Sequence, residues 1–124
     1  MLEYEGFEIG EVVAEYSVYR QDCPHDMVIK VYQYESGKYE GRCNYSFWGP
    51  EQAGPYQRSV PESATKEDAV KAVLRHMMSF YRDTFDKDKY AWVKNDPNGT
   101  IVLGSGEVVT RDEFLESRKG TKDK

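Results

Sequence analysis

The chain has 124 residues, 39% of them hydrophobic and 31% charged, with a formal net charge of −5 and a sequence pI near 5.1. That length suits one domain and is too short for two ordinary ones, and it can bury a core without disulfides or a metal. The acidic balance disfavours double-stranded nucleic acid and anionic membranes, whose phosphates need clustered Lys and Arg. No apolar run approaches the ~20 residues of a membrane span. The start, Met1 to Glu5, lacks the basic and apolar stretches of a signal peptide, so the expected location is cytoplasmic and Cys23 and Cys43 are expected to be free thiols.

Residues 7–20 read as strand, with Gly10 dividing off a short earlier piece around Phe7 and Ile9. Pro24 marks the loop that follows. Residues 27–48 read as a β-hairpin around Glu35-Ser36-Gly37-Lys38. A two-residue loop would mix apolar and charged side chains on both faces. A three-residue loop with Gly37 in the left-handed region separates them. Met27, Ile29 and Val31 then share a core face with Tyr39, Gly41, Cys43, Tyr45 and Phe47. The outer face carries Lys30, Tyr32, Tyr34, Lys38, Glu40, Arg42, Asn44 and Ser46, and Trp48 ends the second strand.

Residues 49–64 contain three prolines and two glycines and read as a long loop. Thr65 caps a helix predicted over 66–85, with an apolar stripe from Ala69 to Phe85 and exposed pairs Glu67/Lys71 and Arg82/Asp86. Residues 90–94 and 100–103 form a second hairpin around Asp96-Pro97-Asn98-Gly99, its register left open by the sequence. Thr110-x-x-Glu113 is a capping box for a short helix containing Phe114 and Leu115. From Ser117 to Lys124 no apolar residue occurs, and a frayed tail is expected there after a single domain over 1–116. The predicted fold is α+β: an antiparallel sheet of about 4–6 strands on one long amphipathic helix, in the order β-β-β-α-β-β-α.

Chemistry-bearing residues are sparse. Cys23, His25, Cys43 and His76 are the only Cys and His residues, but they lack zinc-ligand spacing. Cys23 and His25 could form a nucleophile pair only with an orienting group that the sequence does not imply. Gly104-Ser105-Gly106 has the composition of a phosphate loop, yet Glu107-Val108-Val109 separate it from the next helix. No cofactor, metal or catalytic role is expected.

The outer hairpin face is the most informative feature. Lys30, Tyr32, Tyr34, Arg42 and Trp48, with Tyr56 and Arg58 in the adjoining loop, place aromatic rings among cations, as the hot spots of a protein interface do. A non-catalytic domain binding another protein through this face is the leading expectation, with self-association as one version of it. Nucleotide or single-stranded nucleic-acid binding on the same face is the alternative. A small acidic inhibitor imitating nucleic acid is a third reading, resting on size and charge.

Overall fold

The computed structural model describes residues 2–55 and 60–122 of the chain. Their elements, in chain order, are β1 (Leu2–Tyr4), β2 (Phe7–Ile9), β3 (Glu11–Ser17), β4 (Val28–Gln33), β5 (Tyr39–Cys43), β6 (Tyr45–Trp48), α1 (Lys66–Met77), β7 (Ala91–Lys94), β8 (Ile101–Leu103), β9 (Val108–Val109) and α2 (Arg111–Lys122). The α+β class holds, but the strands form separate antiparallel sheets: a β1-β2 hairpin, a three-stranded β3-β4-β5 sheet and a four-stranded β6-β7-β8-β9 sheet.

The β4-β5 register is the one the alternation of side chains demands. Ile29 stands opposite Cys43, Lys30 opposite Arg42, Val31 opposite Gly41 and Tyr32 opposite Glu40. Gly37 has φ +81°, the left-handed conformation that the turn needs. The predicted second strand does not continue to Trp48, however. At Asn44 the chain leaves β5 and enters the other sheet, where Tyr45 to Trp48 pair with Lys94 to Ala91. Asn44 holds this crossover: its side-chain oxygen accepts from Val28 N at 2.9 Å and its amide donates to Asp26 O at 2.8 Å.

The helix α1 starts as the sequence dictates. Thr65 Oγ1 accepts from Asp68 N at 3.0 Å, and Lys71 pairs with Glu67 at 3.1 Å. Ala69, Ala72, Val73 and Met77 are its buried face. It lies close on β5 because Gly41 has no side chain: a Cβ there would come within 2.7 Å of Val73 Cγ2 and 2.9 Å of Ala69 O. Since one of those atoms is backbone, Gly41→Ala is expected to lower stability by about 1–3 kcal/mol, read as a reduced urea midpoint with unchanged m-value.

The helix ends at Met77, well short of Phe85. Turns replace the last predicted helical turns, with Tyr81 N donating to Met78 O and Phe85 N to Arg82 O. Arg82 donates to the carbonyls of Ser79 and Tyr81, and no ion pair with Asp86 occurs among the described residues. The break has a packing cause. It lets Tyr81 sit edge-on to both Phe47 and Tyr90, at 5.9 and 5.7 Å between ring centroids, and brings Phe85 to 6.4 Å from Tyr90.

The four-stranded sheet is covered on both faces. Tyr45, Phe47 and Trp92 pack with Met27, Met77 and Tyr90 in one cluster. Trp48, Ala91, Val93, Ile101 and Leu103 pack with Phe114 of α2 in the other. The capping box forms as expected, with Thr110 N donating to Glu113 Oε1 at 2.8 Å and Glu113 N to Thr110 Oγ1 at 3.1 Å. Ser117, where the apolar-free segment begins, lies inside α2, which is as long as α1 at 12 residues.

Candidate functional site

The outer face of β3-β4-β5 brings together most of the residues singled out from the sequence. Cross-strand partners share a face, so Val12, Tyr32 and Glu40 form one row and Glu15, Lys30 and Arg42 the next. The Arg42 guanidinium lies 5.3 Å from the Tyr32 ring centroid. Its Nε donates to Glu40 Oε1 at 2.8 Å and its NH2 group reaches the Tyr34 hydroxyl at 3.5 Å. The hydrogen bond to Glu40 raises the Arg42 pKa above its ordinary value. The Tyr32 and Tyr34 rings are stacked 6.5 Å apart, and the Tyr34 ring also lies against the backbone of Gly10, where any Cβ would strike it.

Trp48 does not belong to this face. It is wholly buried in the second sheet, its ring 4.8 Å from that of Phe114. The guanidinium groups of Arg111 and Arg118 lie 4.8 and 5.5 Å from its centroid, and Nε1 donates to Gln52 O at 3.0 Å. Alternation along the predicted strand set Trp48 on the same side as Ser46, but the chain changes sheets at Asn44 before reaching it. Alternation also could not reveal that α2 covers Trp48. Tyr56 and Arg58 lie outside the described residues.

A second arrangement centres on Asp22, one of two buried polar or charged residues described. Arg20 Nε and NH2 donate to its two carboxylate oxygens, at 2.5 and 2.7 Å. The Tyr90 hydroxyl adds a third bond at 2.6 Å, and Trp92 Nε1 donates to the Asp22 carbonyl at 2.8 Å. Burial alone pushes the carboxyl's pKa up. The hydrogen bonds from Arg20 and Tyr90, with the guanidinium charge, outweigh it and hold Asp22 below the usual carboxylate range. Burial, reinforced by donation to Asp22, pushes the Tyr90 phenol well above its ordinary value. Arg20 also stacks on Tyr81 at 4.5 Å, so the network ties the 20–26 loop to the aromatic core.

Beside it, a cleft of about 450 Å³ opens between the 21–26 loop and the turn at Gly104-Ser105-Gly106. Several of its polar groups are already engaged. Tyr45 and Lys94 donate to the two oxygens of Asp26, at 2.6 and 2.8 Å. The amides of Gly104, Ser105 and Gly106 donate to Tyr90 O, Lys87 O and Leu103 O, so the turn cradles no anion. Cys23 and His25 do not pair either: His25 stacks on Tyr19 at 6.0 Å, and the Cys23 thiol faces Asp22 at 3.9 Å. Burial first, then the Asp22 charge, pushes that thiol up to about 11. Alkylation of Cys23 by iodoacetamide is therefore expected to be slow at pH 8 and to accelerate steadily up to pH ~11, because the thiolate is the nucleophile. A rate that levels off near pH 8.5, followed by mass spectrometry, would contradict this environment. Among the described residues no group of three or more His, Cys, Asp or Glu is placed to hold a metal ion, and no helix is long and apolar enough to cross a membrane.

The sequence reading missed the N-terminal segment that runs through the β1-β2 hairpin and the edge strand β3. Among the described residues, Tyr4, Phe7, Ile9, Val12, Tyr16 and Tyr19 remain 39–69% exposed, and the other large apolar side chains left so open are Phe80 and Val108. A signal was available in the charge distribution. Residues 1–19 contain five glutamates and no Lys or Arg, leaving 17 acidic and 17 basic residues in the rest of the chain. The whole net charge of −5 therefore falls on the segment that also holds most of the exposed apolar surface. Compared with known protein families, curated proteins and solved structures, the chain matches none.

Proposed function

We propose that the chain is a small non-catalytic domain that binds another protein through the open side of its three-stranded sheet. The observation that carries this reading is the concentration of exposed large apolar side chains on residues 4–19, a segment whose Val12 stands opposite Tyr32 in the Tyr32–Arg42 group. Single exposed apolar residues need no explanation, but a run of them along one segment marks an interaction surface. The Arg42–Glu40–Tyr34 bonds support it further, because a guanidinium held in place loses less entropy when a partner docks.

Two features weigh against a nucleotide or single-stranded nucleic acid on this face. Arg42 lies over the Tyr32 ring that a base would need for stacking, and Glu15 and Glu40 flank it. A photo-crosslinking residue in place of Val12, Glu15 or Lys30 is expected to trap one and the same polypeptide in cells that naturally contain the chain. The same residue in place of Asp112, on α2, is expected not to trap it. Crosslinks to RNA, or a polypeptide trapped only from Asp112, would overturn the reading.

A further inference from the structure

β3 pairs with β4 along one side, and no other strand of the described residues pairs with its second side. The Val18 amide donates to Met27 O, toward β4. Backbone groups alternate in direction along a strand, so those of Ser17 and Glu15 turn to the free side. Unpaired edges template the addition of another strand, and proteins that leave them free commonly blunt them. Here a register shift between Val12 and Ala14 kinks only the N-terminal end of the edge. The strand carries open side chains on both faces, Val12 and Glu15 on one, Glu11 and Tyr16 on the other.

The β1-β2 hairpin, joined to β3 through Gly10, carries an apolar face of its own. Glu5 and Gly6 have φ +45° and +86°, the two-residue turn of a tight hairpin, and Tyr4 stands directly opposite Phe7. Those two rings are 64% and 69% exposed, and Ile9, on the same face, is 40% exposed. A hairpin this short gains little stability alone and needs something against its apolar face.

The geometry of the edge allows a strand from any source, and charge selects among the sources. Two copies of β3 side by side would bring together the Glu11 and Glu15 carboxylates of both, with no Lys or Arg on either strand. Like charges directly opposed across a ladder are destabilising. A second copy is therefore a poor occupant, and an extended segment carrying cations is a good one.

We infer that the free edge of β3 takes up an extended basic segment of a partner protein as an added antiparallel or parallel strand, main chain to main chain. Lys or Arg side chains of the added strand meet Glu11 and Glu15, and its apolar side chains cover Val12 and Tyr16. The inference rests on the protein-binding reading and deepens it by naming the partner's chemistry.

The probe is a capped heptapeptide, Lys-Val-Thr-Lys-Val-Thr-Lys, whose spacing presents cations on both faces of a strand. Two controls accompany it, one with Glu for every Lys and one with Pro for both Val. Amide hydrogen exchange of the chain reads the result. The basic peptide is expected to slow exchange at the outward amides of Glu15 and Ser17, and neither control should do so. A Glu11→Gln/Glu15→Gln double variant should keep the parent's melting temperature and bind the peptide about three- to tenfold more weakly. Equal protection by the Glu peptide, protection by the Pro peptide, or no protection at millimolar basic peptide would overturn the inference. So would a concentration-dependent dimer in sedimentation that protects the same two amides without peptide. Loss of peptide binding with intact crosslinks from Val12 and Lys30 would remove this inference and leave the protein-binding reading standing.

Discussion

Replacing Asp22 with alanine is expected to destabilise the chain by about 3–5 kcal/mol, the largest effect foreseen for any polar residue described. The carboxylate's side chain is 6% exposed, and its oxygens accept two hydrogen bonds from Arg20, one from Tyr90 and a long one from the Cys23 thiol. Removing it leaves the Tyr90 hydroxyl buried without an acceptor and Arg20 without its counter-ion. The Arg20 side chain is 43% exposed, so water recovers part of the loss on that side, and the lower half of the range is expected. Urea unfolding measures it directly. A change under 1 kcal/mol would mean that the network contributes geometry and little energy.

The same residue makes a pH prediction with a definite sign. Asp22 has its pKa lowered in the folded chain, so the folded state holds the ionised form more strongly than the unfolded state does. Its contribution is complete above the unfolded value near ~4 and is lost as the pH falls through the lower, folded value. Asp22→Asn has no such group to protonate. The stability gap between parent and Asp22→Asn should therefore be constant from about pH 7 to 5 and should narrow below pH ~4. A gap that widens in acid would reverse the assignment.

Trp48→Ala is expected to cost a similar amount, about 3–5 kcal/mol, for a different reason. The indole fills the space between the second sheet and α2, touching Phe114, flanked by Arg111 and Arg118 and bonded to Gln52 O. Truncation removes a fully buried ring that β6 and α2 share and cannot easily be refilled. The loss should appear as global destabilisation, with lowered urea midpoint and lowered far-UV signal from α2. Trp48→Phe should recover more than half of it. A folded, fully stable Trp48→Ala protein would return this residue to the surface role that its sequence position suggested.

Most local elements were legible in the sequence because short-range physics decides them. Thr65 and Thr110 announced the two helix starts, since a hydroxyl facing the third following amide satisfies a donor that the helix cannot. Gly37 and the alternation around it determined the β4-β5 register, because any one-residue slip would expose Ile29 and Val31. The outer placement of Lys30, Tyr32 and Arg42 followed from the same constraint.

Three outcomes depended on contacts distant in the chain, and only the tertiary structure decided them. The strand after Cys43 changes sheets at Asn44, because residues 91–94 offer it a partner some 50 residues away in sequence. The helix stops at Met77, and the turns that follow carry Tyr81 and Phe85 into the ring cluster around Tyr90. Trp48 is inside, because α2 folds back over it. The reverse holds at the edge of β3. Its glutamates and apolar residues were in plain view in the sequence, but their meaning depends on the absence of a neighbouring strand among the described residues. Local propensity specifies what a segment can be, and burial by remote partners determines which of its faces remain to be used.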